Sequence, residues 1–368
     1  MCFSSAHRLR FVGALLLQMT RNSRLRIHAA LVLAGLAILA VAALRTEHPV
    51  VSTTNPDDGD VVAYQELIGR LRTGTPYYAA VGTVLRTRHY ASREIFNWRT
   101  PAFFLALAAL PDGATHGLLV ILGIALALLT FVTGRTDGPI VRWVSVVAQI
   151  GILILLVAPQ AIVMSELWIG ILLALSLCAY RLQHWPLAVV VAVLALFLRE
   201  LAAPYCVACG LIAVSHRHWR EVAAWTVSAC LYAAYYAIHA IHVAQYRLPT
   251  DPGHGSSWLE LGGLHSLLDK VHFSYWLIMT PWPSTVLALV LIVAGIFNIR
   301  TPAHVRWTAA SFVLFFLLAG KNFDTYWGLA AWPVWAVCCG YGAQYLVLLA
   351  TATRPIPSPL GTALHPAP

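Results

Sequence analysis

Long apolar stretches separated by short polar loops dominate the pattern of this chain from residue 28 onward. Crossing the hydrocarbon core of a bilayer takes about 20 apolar residues in an α-helix. Inside lipid, helices and closed barrels are the structures that satisfy their own backbone polar groups. The pattern therefore predicts an all-α fold, a polytopic transmembrane helical bundle of about 10–11 spans. The candidate spans are residues 28–45, 116–133, 143–160, 162–180, 186–199, 201–215, 222–242, 273–297, 307–319 and 327–350.

The distribution of arginines predicts how these spans are oriented. With a cytoplasmic N-terminus, one side of the membrane receives Arg135, Arg142, Arg181, Arg217, Arg220, Arg300, Arg306 and Arg354. An excess of positive charge in short loops is typical of the cytoplasmic face, so both termini are predicted to be cytoplasmic. The apolar stretch 101–111 is too short for a full crossing and is interpreted as a re-entrant or partly buried helix. If it did cross, every later span would be inverted.

This orientation divides the chain into one membrane domain with two flanking segments. The predicted divisions are a basic cytoplasmic N-terminus at 1–27, a single transmembrane domain at 28–350 and a disordered Pro-rich cytoplasmic tail at 351–368. The first apolar span is expected to be retained rather than cleaved as a signal peptide. The segments 46–100, 243–272 and 320–326 then face outward.

The first outward segment contains a predicted amphipathic helix. It should begin between residues 58 and 60 and end at Gly74, where Thr75-Pro76 turns the chain. Its apolar residues follow the helical period, namely Val61, Tyr64, Leu67, Ile68 and Leu71. Glu66 and Arg70 are spaced to form an ion pair on the other face. A juxtamembrane helix of this kind would hold Asp60 at its N-terminal edge, near the lipid headgroups.

Composition supports the membrane class and excludes other functions. The chain has 59% hydrophobic and 11% charged residues, whereas soluble domains carry about 25% charged residues. Its net charge of +9 comes mostly from loop arginines, which suit contact with membrane lipids rather than nucleic acid. The seven cysteines form no disulfide framework, and no histidine spacing indicates a zinc site.

Several short motifs carry a resemblance to a known superfamily. In the first outward segment they are Asp60-x3-Tyr64, Gly74, Pro76-Tyr77 and Arg99-x-Pro101. This arrangement resembles the first loop of GT-C-type integral membrane glycosyltransferases. Glu166 opens a span as acidic residues do in that superfamily. Other residues resemble a bacterial branch linked to cell-surface glycopolymer formation, namely Arg199-Glu200, Asn322, Tyr326-Trp327 and Pro333.

The resemblance implies a hexosyl- or pentosyltransferase of the bacterial inner membrane. Its donor would be a polyprenyl-phosphate-linked sugar, and its acceptor an extracytoplasmic glycan, lipid or protein. Asp60 would be the general base, while Arg99, Arg199 and Lys321 would bind the phosphate. The other predicted substrate-binding residues are Asp58, Tyr64, Tyr77, Glu166, Glu200, Asn322, Tyr326 and Trp327. The resemblance implies no particular cofactor, and the acidic cluster leaves a divalent cation open.

Each of these assignments has a structural alternative. Asp57, Asp58 and Asp60 could cap the helix or occupy its first turn, and Arg199-Glu200 could be an ion pair at a helix end. The tyrosines and tryptophans could be membrane-interface residues. The alternative functions are a transporter or flippase of lipid-linked sugars and a non-catalytic membrane assembly partner. Transporters often contain internal repeats, which this sequence does not show.

Overall fold

The computed structural model describes residues 29–45, 59–253, 261–274, 282–319 and 324–352, and all regular elements among them are helical. In chain order the helices are α1 (Ala29–Leu44), α2 (Asp60–Arg72), α3 (Tyr77–Thr87), α4 (Pro101–Ala109), α5 (Asp112–Thr133), α6 (Pro139–Leu155), α7 (Ser165–Arg181), α8 (Trp185–Leu198), α9 (Ala203–Ser215), α10 (Trp219–Tyr246), α11 (Gly263–Ser274), α12 (Trp282–Phe297), α13 (Ala303–Leu318) and α14 (Gly328–Ala352). The predicted all-α class is confirmed for these residues. The segments 1–28 and 353–368 lie outside them.

Three helices are long and apolar enough to cross a membrane. They are Asp112–Thr136, Trp219–Tyr246 and Thr325–Thr351, with 25, 28 and 27 residues. Six other apolar helices have 10–17 residues, namely Ala29–Leu44, Pro139–Leu155, Trp185–Leu198, Glu200–Ser215, Trp282–Phe297 and Ala303–Leu318. At 1.5 Å per residue, these shorter helices are each about 20–25 Å long.

Helix α14 is the centre of the bundle and packs against α6, α7 and α12. Nearly all of its side chains from Leu329 to Cys339 are buried. Glycines allow the backbones to approach closely, because a Cβ at Gly342 would meet the carbonyl oxygen of Leu291 on α12. Small residues at helix contacts are typical of helical membrane proteins, whose interfaces gain stability from close packing.

The predicted amphipathic helix is confirmed as α2, which begins at Asp60. Glu66 and Arg70 form the expected pair, with Nη2 of Arg70 2.9 Å from Oε1 of Glu66. Gly74 follows the helix with a φ of 87°, a left-handed conformation that glycine adopts without a steric penalty. The sequence therefore predicted this element and its end correctly.

Helix α4 has only nine residues, about 13 Å at the helical rise, so it cannot cross a bilayer. At its C-terminal end, Nη2 of Arg72 donates hydrogen bonds to the carbonyls of Leu107 and Leu110. At its N-terminal end, Arg99 contacts Tyr64 on the same helix α2. Both ends of α4 thus lie beside α2, and the helix is partly buried as predicted.

The antiparallel order of α5 to α14 gives the bundle two distinct ends. The Asp60 end comprises Asp60, the start of α7 at Ser165, the end of α8 at Leu198 and the start of α14 at Gly328. The Glu221 end comprises Glu221 with the opposite ends of these helices. The predicted arginine-rich loops between residues 134 and 306 all belong to the Glu221 end.

Candidate functional site

Asp60 is bound by two tyrosines from distant parts of the chain. The hydroxyl of Tyr90 donates to Oδ1 at 2.6 Å, and the hydroxyl of Tyr326 donates to Oδ2 at 2.7 Å. Gly59 is the N-cap residue of α2, and no side chain caps this helix. Asp60 is therefore not the N-cap residue, but it lies in the first turn of α2, as its structural alternative allows, and its carboxylate also binds both tyrosines. Asp58 lies outside the described residues.

The tyrosines around Asp60 remain protonated donors at neutral pH. Burial raises the pKa of Tyr90, and the charge of Asp60 raises it further. Burial likewise raises the pKa of Tyr64 to about 12, against the opposing positive charge of Arg99. An ionised carboxylate has about four acceptor positions on its two oxygens. The two tyrosine bonds therefore leave Asp60 with capacity for a further hydroxyl.

Arg99 is held in a strained backbone conformation beside this carboxylate. Its φ of 46° is uncommon for a residue with a side chain, and such conformations cost about 1–3 kcal/mol. The hydroxyl of Tyr77 donates to the carbonyls of Trp98 and Arg99, at 3.3 and 3.0 Å. The Nε of Arg99 in turn donates to the hydroxyl of Tyr64 at 3.1 Å. Tyr77 thus binds the backbone, whereas Tyr64 orients the guanidinium.

Arg199 forms the most deeply buried ion pair of this end, with Glu166 at the start of α7. The two side chains are 2% and 1% exposed, and Nη1 of Arg199 binds both Glu166 and Ser165. Its Nε is 3.8 Å from Oε1 of Glu200, which is also 4.0 Å from Nη1 of Arg99. Among the described residues, Nη2 of Arg199 has no hydrogen-bond partner.

A small cavity lies between Asp60 and Arg99. Its volume is about 40 Å³, and its lining includes Asp60, Tyr64, Tyr90, Trp98 and Arg99. Asp60 and Arg99 are therefore both reachable from one cavity.

The structure brings most of the predicted site residues to the Asp60 end. The residues that it gathers there are Asp60, Tyr64, Tyr77, Arg99, Glu166, Arg199, Glu200 and Tyr326. The ring of Trp327 is buried and stacks on Phe315, with centroids 6.3 Å apart. Lys321 and Asn322 lie outside the described residues.

Sequence reasoning missed two contributors to the site. Tyr90 lies in a turn after α3, where no periodicity connects it with Asp60. Ser165 precedes Glu166 and accepts a hydrogen bond from Arg199 at 2.8 Å. The position of Ser165 beside the acidic Glu166, at the start of a helix, could have identified it as a candidate site residue. Only the tertiary structure could identify Tyr90.

The described residues around Asp60 do not fit a metal site. They contain no group of three or more His, Cys, Asp or Glu side chains placed to hold a metal ion. Hard cations such as Mg²⁺ and Ca²⁺ prefer several carboxylate or carbonyl oxygens, whereas both oxygens of Asp60 accept hydrogen bonds from tyrosines. Asp57 and Asp58, the other carboxylates of the predicted acidic cluster, lie outside the described residues.

Comparisons with known proteins do not place the chain in a family. No protein-family model, no curated protein and no solved structure matches it. The resemblance to GT-C enzymes thus stays a hypothesis carried by its short motifs. The function has to be inferred from the residues at the Asp60 end.

Proposed function

We propose that this protein is an integral membrane glycosyltransferase of the bacterial inner membrane, with the Asp60 end on the extracytoplasmic side. It would transfer a hexosyl or pentosyl group from a polyprenyl-phosphate-linked donor to a glycan, lipid or protein acceptor of the cell envelope. The bundle would have about 10–11 spans, since shorter apolar helices accompany the three long ones. The observation that carries the proposal is the shared cavity of Asp60 and the strained Arg99.

Asp60 supports a role as general base. Its carboxylate would take the proton from the acceptor hydroxyl while that oxygen forms a bond to the anomeric carbon of the donor. The bond between that carbon and the phosphate oxygen breaks, and the polyprenyl phosphate leaves with the electron pair. Tyr90 and Tyr326 fix the carboxylate in position, as catalysis by oriented groups requires.

The two arginines support binding of the phosphate that leaves. A guanidinium binds phosphate with two parallel hydrogen bonds and remains charged in a site of low dielectric constant. Arg99 forms no hydrogen bond with a carboxylate of the described residues, and its closest carboxylate oxygen is that of Glu200 at 4.0 Å. Nη2 of Arg199 is also free of hydrogen bonds to described residues. Arg99 lines the cavity and can donate to a new anion there, whereas Nη2 of Arg199 is buried and would first have to become accessible.

The fixed carboxylate favours an enzyme over a transporter of lipid-linked sugars. Alternating access depends on groups that rearrange around a binding site, and it does not require a base held by two hydroxyls. An unusual backbone conformation at Arg99 also fits a preorganised reaction site. An assembly partner would need neither feature.

A transfer assay tests this proposal directly. We would incubate the purified protein with radiolabelled polyprenyl-phosphate sugars and a membrane extract, beside Asp60→Asn. The matched control is Asp112→Asn, because Asp112 is 65% exposed and its surface pair with Arg72 contributes little stability. Loss of a general base should slow transfer by about 10²–10⁴-fold in Asp60→Asn only.

Two results would contradict the proposal. Full activity of Asp60→Asn would remove this carboxylate from the mechanism. An absence of transfer with every donor, combined with flipping of the same donors in liposomes, would establish the transporter alternative instead.

A further inference from the structure

A polar stripe runs along one face of the apolar helix α10. Tyr232, Tyr235, Tyr236 and His239 lie on this face. Tyr232 is three and four residues before the other two tyrosines, and His239 is three and four residues after them. Side chains at these spacings lie on the same helix face. Polar groups within a membrane helix generally face protein partners or a cavity rather than lipid. The partners of this stripe therefore indicate its role.

Two members of the stripe have protein partners, and two do not. The hydroxyl of Tyr235 accepts a hydrogen bond from the backbone N–H of Ala102 at 3.1 Å, and His239 Nδ1 lies 3.1 Å from the hydroxyl of Tyr78. The hydroxyls of Tyr232 and Tyr236 are buried and have no hydrogen-bond partner among the described residues. Leaving a buried polar group unsatisfied is destabilising, so a missing partner is expected at these two hydroxyls.

Glu200 is a negatively charged residue near this stripe. It interacts electrostatically with Tyr232, Tyr236 and His239. Its side chain is 23% exposed and forms no hydrogen bond with any described residue. It only approaches Arg99 and Arg199, at 4.0 and 3.8 Å. A carboxylate without a hydrogen-bond partner among the described residues is thus close enough to influence two hydroxyls that also lack one.

Aromatic rings surround these polar groups. Phe197 packs edge-on against Tyr232 with ring centroids 5.6 Å apart, and it also contacts Tyr235 at 5.1 Å. Phe96 lies 6.4 Å from the ring of Tyr236. The surroundings of these polar groups therefore combine flat apolar faces with hydroxyl and carboxylate groups. Sugars present the complementary combination, since they have apolar C–H faces bordered by hydroxyls.

We propose that Tyr232, Tyr236 and Glu200 form a binding site for the sugar ring of a glycosylated ligand, next to the arginines of the phosphate site. Hydroxyls of the ligand would donate to Glu200, while the two tyrosines would donate to its oxygens. The inference rests on the proposed function only in identifying this ligand as the acceptor. Glu200 lies between the stripe and both arginines, so the bound sugar would be next to the donor phosphate.

Equilibrium binding tests this site without any catalytic turnover. The full-length protein in lipid nanodiscs would be titrated with radiolabelled octyl glucoside, octyl galactoside and octyl mannoside below their micellar concentrations. We expect saturable binding of at least one probe. Loss of the hydrogen bonds in Tyr232→Phe/Tyr236→Phe, or in Glu200→Gln, should each weaken it about tenfold. Tyr345→Phe on α14 removes a hydroxyl elsewhere and should not change the binding.

A second titration separates this inference from the proposed function. Binding of polyprenyl monophosphate should weaken in Arg99→Lys and remain unchanged in Tyr232→Phe/Tyr236→Phe. The site would be refuted if no octyl glycoside bound saturably, or if the tyrosine and glutamate variants bound as the parent does. Glycoside binding without any sugar transfer would instead refute the proposed function while retaining the site.

Discussion

Both ends of the bundle contain a carboxylate that accepts hydrogen bonds from tyrosine. At the Asp60 end this carboxylate lines a cavity, whereas at the Glu221 end it belongs to a packed network. At the Glu221 end, the hydroxyl of Tyr180 donates to Oε1 of Glu221 at 2.6 Å and accepts from Nε1 of Trp225 at 3.2 Å. The ring of His304 stacks on Tyr180 with centroids 3.9 Å apart, which covers this network. The carboxylate of Glu221 is thus hydrogen-bonded to Tyr180, and the hydroxyl of Tyr180 is hydrogen-bonded to both Glu221 and Trp225.

The Asp60 end has a similar tyrosine–carboxylate network that remains open. Asp60 lines a cavity together with Arg99, and Arg199 and Glu200 retain unused hydrogen-bonding groups toward the described residues. Burial of an ionisable residue near a helix end therefore does not distinguish a site from a structural pair. The distinguishing feature at the Asp60 end is that a carboxylate and an arginine line the same cavity.

The sharpest test of this contrast exchanges the two carboxylates for amides. Asp60→Asn should slow transfer by about 10²–10⁴-fold through loss of the base. Glu221→Gln should preserve transfer and lower stability by about 1–2 kcal/mol, since the bond from Tyr180 loses its charged acceptor. Transfer rates and thermal unfolding of both variants would be measured together. An equal loss of transfer in both would end the distinction between the two ends.

The next effect concerns the buried ion pair. Arg199→Met should destabilise the protein by about 3–5 kcal/mol, because it leaves the charge of Glu166 buried without a partner. Adding Glu166→Gln should restore much of this stability. Arg181→Met should cost less at the Glu221 end, where its partner Asp137 is 20% exposed. Unfolding free energies in mixed micelles would measure all three, and equal costs for both single variants would contradict the prediction.

A smaller effect is expected from the tyrosines that orient Asp60. Tyr326→Phe removes one hydrogen bond to a charged group, worth about 1.5–3 kcal/mol, so transfer should slow about 10–100-fold. Because the hydroxyl orients the base, kcat should fall more than the donor KM rises. Tyr345→Phe provides the control at a distance from the site. Unchanged kcat in Tyr326→Phe would show that this bond does not position the base.

The smallest effect is an acid dependence at the Asp60 end. Hydrogen bonds from Arg86 hold the pKa of Asp251 at about 2, although its side chain is only 2% exposed. Since the folded pKa is depressed, the pair stabilises the protein above the ordinary pKa near 4, and this stability is lost as pH falls toward 2. The loss amounts to about 2 kcal/mol.

Thermal unfolding between pH 5 and pH 2.5 measures this contribution. Asp251→Asn should be less stable than the parent at pH 5, and the difference should shrink as the pH falls. The matched variant Asp112→Asn removes an exposed carboxylate and should keep the profile of the parent. A constant difference between Asp251→Asn and the parent over this pH range would contradict the assignment.

Much of the secondary structure could be predicted from local patterns. The apolar spans, the bounds of α2 and the Glu66–Arg70 pair follow from helical periodicity and spacing. The short length of 101–111 likewise indicated that α4 does not cross. Less of the site was predictable. The stripe from Tyr232 to His239 is visible in the sequence, but its orientation toward Glu200 is not.

The sequence by itself determined which segments are helical and which loops carry the arginines, because these properties depend on neighbouring residues and on segment length. The tertiary structure alone decided what surrounds Asp60. Tyr326 is 266 residues away along the chain, and Arg199 and Glu166 are 33 residues apart on different helices. Such contacts are set by how the helices pack against one another, and no local pattern encodes that arrangement. The cavity that Asp60 shares with Arg99 exists only in the folded protein.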